Sequence, residues 1–282
     1  MNRQQRRKAR KSAPPAAASL ARASELVARG RLAEARRLLE RLLATDPDDA
    51  GAHHLIGLVH LRQGRREAAI AALRRAVEIA PDDPAPRVNL GLAQIDAGDT
   101  EAAAETLRQA IDRAPDFAPA LYNLALVERG LGNDEAAEGL LRRAIAARPD
   151  YAKAHFELGL ALRERGSLGA ALDAFEAALD ADDGDADAAF NAAITAQDLY
   201  RFDRARAHYE TTLGLRPDHA EAALNLGFCL QELGRFDDAI DGYRRALAQD
   251  RTLYARVIKT LATASRGSYW LRPSALRRAL LG

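Results

Sequence analysis

Apolar and polar residues along most of the chain recur with the period of an α-helix, in segments of about 14 residues. In residues 66–79, for example, Ala69 and Leu73 lie one turn apart on one face, and charged side chains occupy the other. A glycine lies between the two segments of most pairs, and a proline commonly follows the second segment of a pair. The pattern predicts an all-α chain built from pairs of short helices, which we name helix A and helix B of each pair.

These pairs recur every 34 residues. Prolines occupy five of seven positions that are spaced 34 residues apart, namely Pro47, Pro81, Pro115, Pro149 and Pro217. Asp183 and Arg251 occupy the other two positions of this 34-residue grid. An alanine follows its own grid without exception, at Ala35, Ala69, Ala103, Ala137, Ala171, Ala205 and Ala239. Because two helices of this length cannot bury a core alone, we expect neighbouring pairs to stack.

Small and large residues recur at the positions where helices A and B are expected to cross. A small residue in helix A should let helix B approach closely, at Ala23, Gly57, Gly91, Ala125, Gly159, Ala193 and Gly227. A large residue in helix B should fill the space between repeats, at Leu39, Leu73, Leu107, Leu141, Phe175, Tyr209 and Tyr243. A second glycine series should end helix A with a left-handed residue, with Tyr200 as its exception, at Gly30, Gly64, Gly98, Gly132, Gly166 and Gly234.

Small residues at helix crossings and a proline closing each 34-residue unit resemble the tetratricopeptide repeat (TPR). The resemblance implies a right-handed α-α superhelix of about seven helix-turn-helix repeats. The repeats are placed at 16–49, 50–83, 84–117, 118–151, 152–185, 186–219 and 220–253. We expect a C-terminal capping helix at 254–266, a basic disordered arm at 1–15, and a basic tail at 267–282 that carries the single tryptophan.

The formal net charge of +1 conceals an uneven distribution. Residues 1–43 carry a formal charge of +9 and residues 251–282 carry +7, so the body between them carries −15. An acidic body disfavours nucleic acid there and favours an extended segment that is basic or neutral. Cys229, the single cysteine, excludes an intrachain disulfide, and no apolar run is long enough to span a membrane, so we expect a cytoplasmic protein.

In the TPR family, ligands usually lie in a concave groove lined by helix A. The resemblance implies that the fifth, sixth and ninth residues of each repeat face this groove. The candidate apolar residues are Val88, Leu92, Tyr122, Leu126, Phe156, Leu160, Phe190, Ile194, Leu224 and Phe228. The candidate polar residues are Asn89, Asn123, Asn191 and Asn225, with Lys153 beside them.

These asparagines are similar to the asparagine ladder in the repeats of O-linked N-acetylglucosamine transferases. An asparagine amide offers a donor and an acceptor, so it can hold a peptide backbone without reading its sequence. The ladder is interrupted at Leu55 and Glu157. Asn123 and Lys153 supply half of the carboxylate clamp of chaperone-binding TPR domains, but Glu157 stands where a second cation belongs. The alternative is that this pattern is only helix A consensus.

Other features favour structural explanations. His53 and His60 share a helix face, yet both occupy packing positions, so we predict no metal site. The acidic run 180–187 has its glycine one place too early for a calcium loop and is predicted to be a solvated turn. We find no motif for a catalytic residue or a cofactor site.

The sequence therefore predicts a non-enzymatic scaffold or adaptor that binds an extended peptide segment. One alternative is an accessory subunit, or a degenerate relative, of a TPR-containing glycosyl-, sulfo- or methyltransferase. Another is tethering to nucleic acid or a membrane through the basic termini. The C-terminal tail could cap the stack, occupy the groove or dock a partner.

Overall fold

A computed structural model describes residues 16–263 and Leu280. Within them lie fifteen α-helices, one short 3-10 helix at Arg251–Leu253 and no strand. The helices are α1 (Ala16–Ala28), α2 (Leu32–Thr45), α3 (Ala50–Arg62), α4 (Arg66–Ile79), α5 (Pro84–Asp96), α6 (Thr100–Arg113), α7 (Ala118–Gly130), α8 (Asp134–Ala147), α9 (Ala152–Glu164), α10 (Leu168–Ala181), α11 (Ala186–Asp198), α12 (Phe202–Leu215), α13 (Ala220–Glu232), α14 (Phe236–Gln249) and α15 (Tyr254–Thr263). The predicted all-α class is therefore confirmed.

The chain divides into two compact units, Met1–Ala147 and Arg148–Gly282, which we call unit 1 and unit 2. Unit 1 contains α1–α8 and unit 2 contains α9–α15. From α1 to α14, odd-numbered A helices have 13 residues and even-numbered B helices have 14. Within each unit, every A helix packs against the B helix that follows it, and that B helix packs against the next A helix.

The turn from helix A to helix B passes through a left-handed residue, as predicted. All six glycines of the second series have φ between 68° and 85°. Glycine has no Cβ, so it adopts this conformation with little strain. Tyr200 occupies the same position with φ 57°, and within residues 16–263 it is the one residue other than glycine with positive φ. The backbone geometry of the turn is thus maintained even where the glycine is missing.

Proline was predicted to end helix B, but the helix ends at the same point without it. Helices α10 and α14 stop two residues before Asp183 and Arg251, the two grid points that lack proline. At these ends the carboxylates of Asp182 and Asp250 accept hydrogen bonds from the backbone N–H of the residue two positions later. An aspartate turn of this kind stabilises the non-helical backbone, and Asp46 forms the same turn beside Pro47, so the turn does not depend on the proline.

The carbonyl of the repeat-ending proline is a common hydrogen-bond acceptor. His53 Nε2 lies 2.8 Å from the Pro47 carbonyl oxygen, and His155 Nε2 lies 2.8 Å from that of Pro149. Arg87, at the same repeat position, donates to Pro81. Because His53 is engaged in this way, the prediction of a structural role for it is supported.

The small residues of helix A are needed where helix B crosses. A Cβ added to Gly57 would lie 2.6 Å from Leu73 Cγ, and one added to Gly159 would lie 2.6 Å from Phe175 Cε1. Both distances are shorter than van der Waals contact, so the glycines allow the two helices to approach. The large partners Leu73 and Phe175 are fully buried, which confirms their predicted place in the core.

Candidate functional site

In unit 1, the predicted groove residues lie on A helices α5 and α7. Val88 is buried, with 6% of its surface exposed, and the others are half-buried, namely Asn89, Leu92, Tyr122, Asn123 and Leu126. Asn89 Nδ2 lies 2.6 Å from His54 Nε2 on the preceding A helix. Asn123 Nδ2 donates to the Pro119 carbonyl one turn earlier, at 2.7 Å. Each amide nitrogen therefore has a partner within unit 1.

In unit 2, the predicted residues lie on α9, α11 and α13. Lys153 is exposed, and Leu224 is buried with 3% of its surface exposed. The half-buried residues are Phe156, Leu160, Phe190, Asn191, Ile194, Asn225 and Phe228. Asn123 and Lys153, the two elements of a partial carboxylate clamp, fall in different units.

Both polar atoms of the Asn191 side-chain amide form hydrogen bonds. Its Nδ2 donates to the Asp187 carbonyl at 2.8 Å, and its Oδ1 accepts from Arg163 Nη1 at 2.6 Å. The Arg163 guanidinium also lies over the Phe175 ring, 5.9 Å from its centroid. Burial raises the pKa of the nearby Asp198 carboxyl, and the charge of Arg163 opposes that shift. Arg163 is thus a polar residue of this face that the repeat-position rule did not identify.

A buried polar network joins side chains of α11, α12 and α13. The Tyr209 hydroxyl donates to Gln197 Oε1 at 3.0 Å, and Cys229 Sγ lies 3.6 Å from the same oxygen. Burial raises the pKa of the Cys229 thiol to about 12 and raises the pKa of Tyr209 well above its ordinary value. Both groups therefore remain protonated at neutral pH, and the network fixes the side chain of Gln197.

Next to this network, α11, α13 and α15 border an open pocket of about 320 Å³. Its lining residues are Gln197, Leu224, Asn225, Phe228, Arg256, Lys259 and Thr260. Three of them, Leu224, Asn225 and Phe228, are predicted groove residues from a single helix. The structure therefore brings the predicted face of α13 together with polar side chains of two other helices.

The charged side chains that line this pocket are both cations. Arg256 and Lys259 lie on the exposed face of α15, while Val257 and Leu261 of the same helix are buried. Arg256 Nη1 pairs with Glu221 Oε1 at 2.7 Å, and both side chains are about half exposed, with 52% of each accessible. The two lining cations are opposite in sign to the average of the acidic body, on which the prediction of a basic ligand rested, and the carboxylates of Glu221, Asp198 and Glu232 lie near them or near the adjoining buried network.

The acidic run at 180–187 serves the turn and the next helix. Asp185 caps α11 by accepting from the backbone N–H groups of Asp187 and Ala188. Asp187 forms a two-point ion pair with Arg216, with both distances 2.8 Å. Across the described residues, no cluster of metal-ligating side chains is present. No helix in residues 16–263 is long and apolar enough to cross a membrane.

Sequence profiles of the tetratricopeptide repeat match residues 20–84, 88–152 and 128–186, and a second such profile matches 196–262. The matches cover well over half of the chain. The chain belongs to the tetratricopeptide-repeat family. Its fold is accordingly an all-α repeat superhelix, and proteins of this family typically act as protein-interaction scaffolds.

Solved structures show the same TPR fold at low sequence identity. The pilF protein of Pseudomonas aeruginosa is 22% identical, with a TM-score of 0.62, over 76% of this chain and 96% of that one. The C-terminal part of a TPR protein of Cytophaga hutchinsonii is 16% identical, with a TM-score of 0.64, over 86% and 99%. YrrB, described as a TPR protein with an unusual peptide-binding site, is 22% identical, with a TM-score of 0.51, over 65% and 95%. No curated protein sequence matches significantly.

Reasoning from repeat positions missed Gln197, Arg256, Lys259 and Thr260 of the pocket, and Gln231 of the buried core. Gln197 and Gln231 each precede a large tyrosine of helix B by twelve residues, and each accepts a hydrogen bond from that hydroxyl. This fixed spacing was the available signal. Arg256 and Lys259 lie on the exposed face of the capping helix, and that face also borders the pocket beside α13.

Proposed function

We propose that this TPR protein is a peptide-binding scaffold and that the pocket between α11, α13 and α15 is a principal contact for the bound segment. The observation that carries the proposal is that Leu224, Asn225 and Phe228 line one cavity together. Val88, Asn89, Leu92 and the corresponding residues of α7, α9 and α11 would contact further parts of an extended ligand in each unit.

The chemistry of the pocket suits a short stretch of polypeptide. Phe228 and Leu224 offer apolar surface for one side chain of the ligand, whereas Asn225 and Gln197 carry amides that pair with backbone groups. The contacts of Gln197 with Tyr209 and Cys229 position its amide before a ligand arrives. A preorganised site loses less conformational entropy on binding. YrrB, which has a similar fold, has a peptide-binding site, and this supports the proposal by analogy.

The proposal is tested by selecting binders from a random library of 12-residue peptides on the immobilised full-length chain. The affinity of the enriched peptides is then measured by fluorescence anisotropy. Thr260→Gln adds neutral bulk at the half-buried pocket wall, so we expect at least a tenfold loss of affinity. Thr211→Gln makes the same change at an exposed position of α12 and should leave binding unchanged.

Asn225→Ala is a second variant, expected to weaken binding because it removes an amide from the pocket. Thermal unfolding followed by circular dichroism verifies that each variant is folded. Failure to enrich any peptide, or binding that Thr260→Gln and Asn225→Ala leave unaltered, would contradict the proposed function.

A further inference from the structure

The position of Tyr200 is costly for a tyrosine. The residue has φ 57° at a turn where six other repeats have glycine, and a left-handed backbone strains a residue that carries a Cβ by about 1–2 kcal/mol. The side chain does not offset this cost by filling the core, because 81% of its surface is exposed. Strain at an exposed aromatic residue is an observation from which a surface role is reasonably inferred.

Tyr200 is the outer end of a row of three aromatic rings. Its ring meets the ring of Phe202 edge to face, with centroids 6.1 Å apart and an interplanar angle of 88°. Phe202 meets Phe228 in the same way, at 5.8 Å and 82°. Phe228 lines the pocket. The three rings, which we call the aromatic row, therefore extend continuously from solvent to the pocket wall.

This row belongs to unit 2 and has no counterpart in the repeats of unit 1. At the position of Phe202, the described repeats of unit 1 carry Leu32, Arg66, Thr100 and Asp134. At the position of Tyr200, they carry glycine. In the last repeat of unit 2, the position of Phe202 is again aromatic, at Phe236, which is 40% exposed. Apolar rings concentrated at one edge beside a pocket are typical of an interaction surface.

We propose that the aromatic row and the pocket together recognise a peptide segment in which an aromatic side chain lies close in sequence to an acidic one. This inference rests on the proposed function. The aromatic side chain of the ligand packs on Tyr200 and Phe202, and the carboxylate lies against Arg256 and Lys259. The ion pair of Arg256 with Glu221 is half exposed, and such pairs contribute little stability, so a ligand carboxylate can share that guanidinium.

The chain's own termini have the wrong charge for this site. Residues 1–15 carry a formal charge of +6, and residues 264–282, which follow Arg256 and Lys259 in the chain, carry +4. A basic segment placed against two cations is repelled. Charge complementarity therefore favours an acidic segment of another protein over either terminus of this chain.

The test uses the full-length chain and the peptides enriched from the random 12-residue library. Tyr200→Asn removes the ring but keeps a residue that tolerates left-handed backbone, so the turn should persist. We expect this variant to lower peptide affinity five- to tenfold, since an aromatic pair contributes about 0.5–1.5 kcal/mol beyond its burial. Leu131→Asn is the matched control, because Leu131 is an exposed apolar residue beside the corresponding turn of unit 1.

The charge requirement is tested with the double variant Arg256→Gln/Lys259→Gln. Affinity should fall at least tenfold, and the salt dependence of binding should become shallower. Arg244→Gln, an exposed change on α14, is the control.

The inference is overturned if the enriched peptides are basic, or if they lack aromatic residues. It is overturned equally if their affinity is unchanged by Tyr200→Asn. In each of these cases the proposed function survives as long as Thr260→Gln still abolishes binding. If no peptide is enriched, both proposals fail. If a synthetic peptide of residues 264–282 displaces the selected peptides at equal affinity, the site accepts the basic tail and the inference is wrong.

Discussion

Units 1 and 2 use the same helical repeat but fill the crossing of helices A and B differently. The large residue at this crossing is leucine in unit 1, at Leu39, Leu73, Leu107 and Leu141. In unit 2 it is aromatic, at Phe175, Tyr209 and Tyr243. All seven side chains are almost completely buried, so the same volume of the repeat accommodates either a branched aliphatic side chain or a ring.

The change from leucine to tyrosine has a consequence for the surface. A buried hydroxyl needs a hydrogen-bond partner, and Tyr209 and Tyr243 find theirs in Gln197 and Gln231 of the preceding A helix. Gln197 also lines the pocket. In unit 2, a tyrosine in the core therefore requires a hydrogen-bond acceptor on helix A, and one such acceptor, Gln197, lines the pocket. A leucine at the same core position needs no hydrogen-bond partner on helix A.

The largest expected effect comes from removing an aromatic crossing residue. Phe175→Ala deletes a fully buried ring that lies against Gly159, and should lower the free energy of unfolding by about 3–5 kcal/mol. Phe175→Leu restores the arrangement of unit 1 and should cost less than about 1.5 kcal/mol. Urea unfolding measures both values. Equal losses for the two variants would show that unit 2 requires the ring itself.

Removing only a tyrosine hydroxyl tests the coupling between core and helix A. Tyr243→Phe leaves Gln231 Oε1 without the donor that lies 2.9 Å away, and Gln231 is 1% exposed. We expect a loss of about 1–1.5 kcal/mol in the free energy of unfolding. In a double-mutant cycle with Gln231→Leu, a coupling energy near zero would contradict this account.

The outer two rings of the aromatic row, Tyr200 and Phe202, can be transferred to unit 1. Gly98→Tyr puts a side chain on a residue with φ 85° and no atom within 4 Å of the added Cβ, so the expected loss of about 1 kcal/mol reflects backbone strain alone. Adding Thr100→Phe reproduces the spacing of Tyr200 and Phe202 and should recover about 0.5 kcal/mol. Thermal unfolding of the two variants provides the comparison. No recovery in the double variant would mean that the rings do not stabilise one another.

The smallest effect concerns pH and involves unit 1. Burial lowers the pKa of His54 below its ordinary value of 6.5, with the charge of Asp83 opposing the shift. Burial, with help from Arg65 and Arg36, also lowers the pKa of His60. The unfolded chain then binds more protons than the folded one just below pH 6.5. The free energy of unfolding should therefore fall as pH decreases through 6.5 and level off below the folded pKa values.

Urea unfolding at a series of pH values measures this slope. The double variant His54→Gln/His60→Gln should flatten it, and His53→Gln serves as a control on the same helix. A slope that the double variant retains would assign the pH dependence to other groups.

The repeat register and the helix crossings could be predicted from sequence because they depend on residue size at a fixed period. Gly57, Leu73 and Phe175 each have a packing role that one sequence makes visible. The partners of Asn191 and Tyr209 were harder to predict, because Arg163 and Gln197 occupy a repeat position that is apolar at Val27, Leu61 and Ile95 but polar in the four repeats that follow. The pocket is harder still, since Arg256 and Lys259 lie on a helix outside the repeats.

Hydrogen exchange of the full-length chain, with and without an enriched peptide, tests most directly whether the pocket in unit 2 binds ligands. Binding there predicts slower amide exchange in α11, α13 and α15, and no change in α12 peptides that carry Thr211. Protection that is absent from α13 and α15, or that is equally strong on the exposed faces of the B helices, would contradict the central claim.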